Sequence, residues 1–391
     1  MIQSKSFYRS LEKIFASAER VKSQEKFAAR IAAPLLDLVR EPLGVQAIHI
    51  YERRKDGFGG PKLFGDERPD IGPDLARRFA STGDDAIREL PWVGDMSVGR
   101  VALLGVGSAD GPVMAFFGPT RGSAARSPGK AELFSAVNSL LYAMRQHLEK
   151  SALADLIEQA RAIQMSLLPP GQCVFDGFDI FAMSAPAESV GGDLYDFLPV
   201  DPGTLGIAVA DASGHGLPAA LQARDVAVGL RMGVERDLKI VSTVTKLNRV
   251  IHRSGLSSRF ISLMFGELEV NGNFAYVNAG HPPALLLDSK GVSELSVGGL
   301  VLGPDPESRY KLGYVHVDRG ATLALYSDGV LERGITWGDQ FGMKRIHKWL
   351  KETRKLTAEA AVNDLFKRLD EYAPKRPFED DVTVMVVRRR L

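Results

Sequence analysis

Apolar positions along the chain change their spacing near residue 170. Residues 5–40 read as helical, with few breakers before Pro34. A short strand-like run holds Val45, Ile48 and Ile50 and ends at Tyr51. Residues 100–106 and 112–117 are two apolar runs separated by Gly107-Ser108-Ala109-Asp110-Gly111, which predicts a hairpin. Ser127-Pro128 reads as an N-cap followed by proline at the first helical position. A long helix is expected from there to Leu168. Leu133, Val137, Leu140 and Met144, then Leu153, Leu156, Ala160, Ile163 and Leu167, recur at intervals of three and four, the spacing of a coiled-coil seam. Pro169-Pro170 stops it.

Beyond Gly171 strand-like runs dominate, at 178–183, 205–210, 260–270, 274–278, 321–326 and 382–387. Asn271-Gly272 lies between two of them and reads as a tight hairpin turn. Helical stretches are expected at about 217–235, 239–254, 339–350 and 358–372. Hairpin-joined strands with separate helix pairs argue an α+β fold with antiparallel sheets. The expected domains are 1–130, a small α/β unit; 131–170, a linker helix; and 171–391.

Composition narrows the class. The 391 residues are 45% hydrophobic and 25% charged, as in folding chains. Lys plus Arg is 49 against 48 Asp plus Glu, a net charge of +1 that speaks against a binder relying on phosphate neutralisation. A single cysteine, Cys173, excludes an internal disulfide, a structural zinc cluster and a dithiol motif. No apolar run approaches the ~18 residues of a membrane span, and the first residues lack the apolar core of a signal peptide. A cytoplasmic protein with no nucleic-acid or membrane partner is expected.

Four acidic sites in the C-terminal half share one setting. Gly191-Gly192-Asp193-Leu194-Tyr195-Asp196, Asp211-Ala212-Ser213-Gly214-His215-Gly216, Ser327-Asp328-Gly329 and Asp380-Asp381-Val382-Thr383 each combine carboxylates with turn formers at a strand end. Taken singly, an Asp-Gly at a strand end is an ordinary turn, and Asp380-Asp381 is an ordinary solvated strand start. His215, between glycines, reads equally as a local helix-entry residue. Together in one domain the four sites point elsewhere. Converging, partly desolvated carboxylates repel one another unless a cation sits between them, and an all-oxygen set suits Mg²⁺ or Mn²⁺ better than zinc.

The ordered set Gly-Gly-Asp-x-Tyr-Asp, Asp-x-Ser-Gly-His-Gly, Asn-Ala-Gly-His-Pro-Pro (278–283), Tyr-Ser-Asp-Gly-Val and Asp-Asp-x-Thr resembles the metal-dependent protein phosphatase (PPM) superfamily, in its bacterial stage II sporulation protein E branch. Ser166-Leu167-Leu168-Pro169 and Phe341-Gly342-Met343-Lys344-Arg345 match as well, so the resemblance spans about 165–390. It implies a PPM-type domain, an antiparallel β-sandwich flanked by helices, with a centre of two divalent cations, Mn²⁺ or Mg²⁺. Asp211 would bridge them and the Ala212 carbonyl would ligate one. Asp328 and Asp380 would complete the second, with Asp381 the lesser candidate of its pair, and Asp193 would reach the site directly or through water. Eukaryotic members carry His two residues after the bridging Asp. Here Ser213 has that offset and His215 lies four residues on, which leaves its part in catalysis open. Gly298–Gly299 and the loop to Gly303 read as structural, and His281 as a packed turn residue.

The first 130 residues resemble a GAF-type sensory domain in architecture alone, with a ligand-free dimerisation or docking module as the other reading. Arg53-Arg54-Lys55 and Arg77-Arg78 read as solvated faces. The resemblance implies a phosphoserine/phosphothreonine protein phosphatase acting on a phosphorylated STAS-domain anti-sigma-factor antagonist in partner switching. Homodimerisation through the linker is expected, with Leu167, Leu168 and Pro169 as the switch. The rival readings are a catalytically weak phosphoprotein-binding regulator, a two-metal nuclease and a partner-switching scaffold.

Overall fold

The computed structural model describes residues 5–18, 21, 23–54, 57–73, 75, 91–96, 99–107, 111–119, 129–235, 239–254, 260–336 and 339–391. The expected cap at Ser127-Pro128, the turn residues Ser108, Ala109 and Asp110, and the basic residues Lys55, Arg77 and Arg78 lie outside them. The chain divides into two compact units, Met1–Asp155 and Leu156–Leu391, so the division falls within the long helix.

In the first unit, helices α1 (Lys5–Ala16) and α2 (Gln24–Leu43) replace the single helix expected over 5–40. Ser23 caps α2, accepting from the Lys26 amide, and Gly44 ends it in the left-handed region at φ 61°. Pro34 does not stop it: the buried row Phe27, Ile31, Leu35 and Val39 recurs every fourth residue and packs as one face, outweighing the lost hydrogen bond. Strands β1 (Ala47–Tyr51), β2 (Lys62–Gly65), β3 (Trp92–Met96), β4 (Gly99–Gly105) and β5 (Val113–Phe117) form an antiparallel sheet in the order β2-β1-β5-β4-β3. The expected hairpin is the β4–β5 pair.

Helix α3 runs Lys130–Met165, ending three residues before the expected Leu168. Leu133, Val137, Leu140 and Met144 do not form an open seam: they are buried in the core that α1 and α2 share with the sheet. The later positions Leu153, Leu156 and Ile163 are 58%, 61% and 63% exposed.

The second unit has four layers. One sheet contains β6 (Asp193–Asp201), β7 (Thr204–Ala212), β8 (Ile261–Glu269) and β9 (Asn273–Ala279), antiparallel in chain order. The facing sheet places β10 (Ala284–Leu287), β11 (Thr322–Tyr326), β12 (Val382–Arg389) and Phe178–Ala185 side by side. Ile207, Val209, Met264, Leu323, Leu325, Met385 and Val387 fill the space between them. Helices α4 (Leu217–Glu235) and α5 (Ile240–Arg253) cover the outside of the first sheet. Helices α6 (Gly342–Glu352) and α7 (Ala358–Tyr372) cover the outside of the second, around the buried Trp349. This is the expected α+β fold. β6 lacked a clear sequence signal because its acidic start and Pro199 interrupt the apolar run.

Candidate active site

The period of two along each strand determines which carboxylates meet. On β7, Ile207 and Val209 face the inter-sheet core, so Asp211 does too. Asp193 is its cross-strand partner on β6, and Ser262 is its partner on β8. From the opposite sheet, the inward register Leu323, Leu325 continues into Ser327, and Val387, Met385 continues into Thr383 and Asp381. The strand ends of both sheets thus deliver their polar residues to one end of the sandwich.

Asp193 is buried, and its Oδ2 accepts from the Ser327 hydroxyl at 2.7 Å. That hydroxyl in turn accepts from the Thr383 amide at 2.9 Å. Asp193 Oδ1 is buried with no partner. Burial first, then the charge of Asp211, pushes the Asp193 carboxyl well above the usual range. Asp211 is pushed up to about 7 by burial, then by Asp328, Asp380, Asp381 and Glu332. Asp328 is pushed up to about 6 by burial, then by Asp380 and Glu332. Six acids from four chain segments therefore share one field with no cationic side chain among the causes. Among the described residues no three acidic, histidine or cysteine side chains are grouped closely enough to hold a metal ion as they stand. The arrangement nonetheless suits a hard divalent cation. Every donor is oxygen, one buried carboxylate oxygen is unpartnered, and the acids hold protons that positive charge would displace.

Asp380 and Asp381 separate clearly. Asp381 is buried and accepts from the amides of Ala187 (2.8 Å) and Gly192, tying the loop before Asp193 to the second sheet. A Cβ on Gly191 would come 2.6 Å from that carboxylate, and one on Gly192 would come 2.6 Å from the Ala212 carbonyl. The double glycine is what lets these groups close on one another. Asp380 is half-buried; its Oδ1 accepts from the Asp381 amide, and its charge reaches both Asp211 and Asp328.

His215 stands apart from the buried acids. Its ring is 78% exposed and its Nδ1 lies 2.9 Å from Glu188 Oε1. His281 is buried, with Nδ1 2.6 Å from Ser262 Oγ, and burial pushes it down to about 3, so it stays neutral. Gly298 lies against β9, where a Cβ would come 1.9 Å from the Asn278 carbonyl.

Among the neighbours of the site, Arg231, Gln164 and Arg333 carried no sequence signal. Arg231 on α4 donates to both oxygens of the buried Asp196 (2.9 and 3.3 Å) and to the Leu167 carbonyl (2.7 Å). Tyr195 Oη donates to the Pro169 carbonyl at 2.9 Å. Gln164, in the last turn of α3, exchanges two hydrogen bonds with the Gly191 backbone, accepting from its amide at 3.0 Å and donating to its carbonyl. Leu168 packs on the cores of both sheets. The segment around Leu167, Leu168 and Pro169 is thus fastened to β6, α4 and the loop that carries Asp193. Arg333, fully buried, donates to the carbonyls of Leu369, Ala373, Arg376 and Pro377 and to Glu379, bracing the chain that leads into Asp380.

Two antiparallel sheets stacked between helix pairs, with acids gathered at one end between them, define a PP2C-type phosphatase fold. The SiaA-PP2C domain of Pseudomonas aeruginosa shares it, with a TM-score of 0.54 and 22% identity over 61% of this chain and 98% of that one. Residues 201–390 match the family model described as stage II sporulation protein E (SpoIIE). Phosphoserine phosphatase RsbU of Bacillus subtilis (strain 168) is 30% identical over 240 residues, 60% of this chain and 70% of RsbU. Phosphoserine phosphatase RsbP of the same organism is 27% identical over 183 residues, 45% of either chain. The chain belongs to the SpoIIE family of phosphatases.

Proposed function

We propose that this chain is a divalent-metal-dependent phosphoserine/phosphothreonine protein phosphatase of a bacterial partner-switching pathway. The observation that carries the reading is the meeting of Asp193, Asp211, Asp328 and Asp380 at one end of the sandwich, with a mutual charge repulsion that a bound cation would relieve in place of protons. Two ions, Mn²⁺ or Mg²⁺, fit the oxygen donors. Asp211 would be shared, the Ala212 carbonyl and Asp193 would serve one ion, and Asp328 and Asp380 the other. When bound, such ions activate water for in-line attack and neutralise the phosphoryl oxygens.

The chain's own residues hold that arrangement. Ser327 fixes one oxygen of Asp193 and leaves the other free. Asp381 serves as an anchor: with both oxygens on backbone amides, it holds the Asp193 loop rather than a ligand. His215, largely in solvent beside Glu188, is placed to meet the incoming phosphoprotein rather than the buried acids.

RsbU and RsbP are named phosphoserine phosphatases, which supports a phosphoserine substrate here. We assign a phosphorylated STAS-domain anti-sigma-factor antagonist as the substrate. The first unit acts as a GAF-like sensory module, the exposed stripe Leu153, Leu156 and Ile163 pairs two copies, and the attachments of Gln164, Leu167, Leu168 and Pro169 transmit the signal. No described helix is long and apolar enough to cross a membrane, in keeping with a cytoplasmic enzyme. The test is to incubate the full chain and Mn²⁺ with each phosphorylated STAS protein of its host. Loss of phosphate from one of them, stopped by EDTA, is expected. Retention of phosphate on all of them overturns the substrate assignment.

A further inference from the structure

At the far end of the second sheet from the carboxylates lies a cleft of about 770 Å³. The eight-residue strand Val382–Arg389 leads from the Asp380-Asp381 pair to this cleft, so the two places are separated by roughly 25 Å at ~3.3 Å per residue. Its volume is within the ~300–1,000 Å³ of small-molecule sites.

The lining is strongly cationic. Arg319, Arg354, Lys355, Arg388, Arg389 and Arg390 come from three separate segments. Asp179, Asp288 and Asp318 are the acids beside them. Two of these acids are already engaged with backbone amides. Asp179 accepts from the Ala358 amide at 2.7 Å, and Asp288 from the amides of Lys290 (2.7 Å) and Gly291 (3.1 Å). Asp318 faces His316 at 3.8 Å. Among the described residues, the side chains of Arg319, Arg354, Lys355 and Arg390 form no ion pair or hydrogen bond.

Arg388 adds a second kind of observation. Its Nε donates to Thr322 Oγ1 and its Nη2 to the Thr353 carbonyl, both at 3.1 Å, but the buried Nη1 has no partner. Burial also holds this guanidinium below the usual arginine value. A half-buried guanidinium beside four exposed cations without protein partners concentrates positive charge that an anionic ligand can pair with. Leu287, Ala321 and Leu356 supply apolar surface beside the charges.

We propose that this cleft binds a small molecule with clustered phosphates and an apolar body, a nucleoside di- or triphosphate, at a site separate from catalysis. Guanidinium groups suit it because their planar forks pair with phosphate oxygens and stack on rings. Inorganic pyrophosphate offers the same charge without the body, and an acidic peptide offers charge spread along a chain.

The full chain in EDTA, which keeps divalent ions from the carboxylate end, is titrated calorimetrically with ATP, GTP, pyrophosphate and a poly-glutamate peptide at 50 and 300 mM salt. The expected result is saturable binding of a nucleotide, at least tenfold tighter than pyrophosphate or peptide and weakened by salt. In the Arg354→Ala/Arg390→Ala variant the affinity falls at least tenfold, while Mn²⁺-dependent hydrolysis of p-nitrophenyl phosphate is unchanged. No saturable binding, or equal affinity in the variant, overturns the site. Pyrophosphate binding as tightly as a nucleotide, or the peptide binding more tightly than either, overturns the ligand class.

Discussion

Asp211 feels the charge of four neighbouring acids on top of its burial, and that load fixes how stability depends on pH. An unfolded Asp titrates near 3.8, whereas folded Asp211 is pushed up to about 7 and Asp328 to about 6. Between those limits the folded chain holds protons that the unfolded chain has released. The metal-free protein therefore loses stability as pH rises from about 4 to about 7, each pH unit per group being worth at most about 1.4 kcal/mol. Thermal melts in EDTA at pH 5 and pH 8 check this: a higher melting temperature at pH 5 is expected, with a shallower slope in Asp211→Asn and with Mn²⁺ present. The acidic pair makes a second prediction. Asp380→Asn should lower activity at least a hundredfold with little effect on the melt. Asp381→Ala should lower the melt itself, because it strands the buried Gly192 amide, at about 1–3 kcal/mol, and the part-buried Ala187 amide, at less. Sequence alone could not divide these neighbours, since both are aspartates at one strand start. The division appears only when the loop from Ala187 to Gly192 folds back on Asp381 across nearly two hundred residues. Asp193, Asp211 and Asp328 were legible because glycines and apolar strands flank them. Glu332 and Arg231 were not, because a glutamate or an arginine at such positions is unremarkable until its partner is known, and the role of Ser327 appears only with its bond to Asp193.

Among the elements, helix α3 shows how one periodicity serves two purposes. Intervals of three and four recur in Leu133–Met144 and again in Leu153–Leu167, yet the first run is core and Leu153, Leu156 and Ile163 of the second are exposed. Spacing reports that a face is apolar and leaves open what covers it. The exposed part is the dimer seam of the proposal. Leu156→Glu with Ile163→Glu should shift the full chain from dimer to monomer in analytical ultracentrifugation at tens of micromolar. A dimer that persists places the contact elsewhere. The end of the same helix holds the Asp193 loop through Gln164 and Gly191. Four Gly/Ser residues inserted after Lys150 should abolish the response to the activating signal while leaving metal-dependent hydrolysis intact. A passive tether predicts that the response survives.

At the scale of the molecule, the fold of the second unit was legible as α+β because its strands and helices have clean boundaries, and Asn271-Gly272 marks a hairpin with Gly272 at φ 99°. The first unit was less so: residues 5–40 read as helical throughout, whereas two helices, Lys5–Ala16 and Gln24–Leu43, share that stretch. A chain beginning at residue 156 keeps Gln164 and the carbonyls of Leu167 and Pro169 in place, whereas one beginning at 171 loses all three attachments. The shorter chain should therefore melt lower and hydrolyse more slowly than the longer, with the carboxylates intact in both.

If these carboxylates form a metal-dependent phosphatase centre, phosphate release and Mn²⁺ binding are lost together when one of them is changed. Phosphate release from a phosphoserine protein or p-nitrophenyl phosphate is followed against Mn²⁺ concentration for the full chain, Asp211→Asn and Asp380→Asn, with calorimetric Mn²⁺ binding on the same samples. Saturable Mn²⁺-dependent release by the full chain is expected, with at least a hundredfold loss of rate and weakened Mn²⁺ binding in both variants. Release that persists in EDTA, or variants within threefold of the full chain with Mn²⁺ binding unchanged, would contradict it.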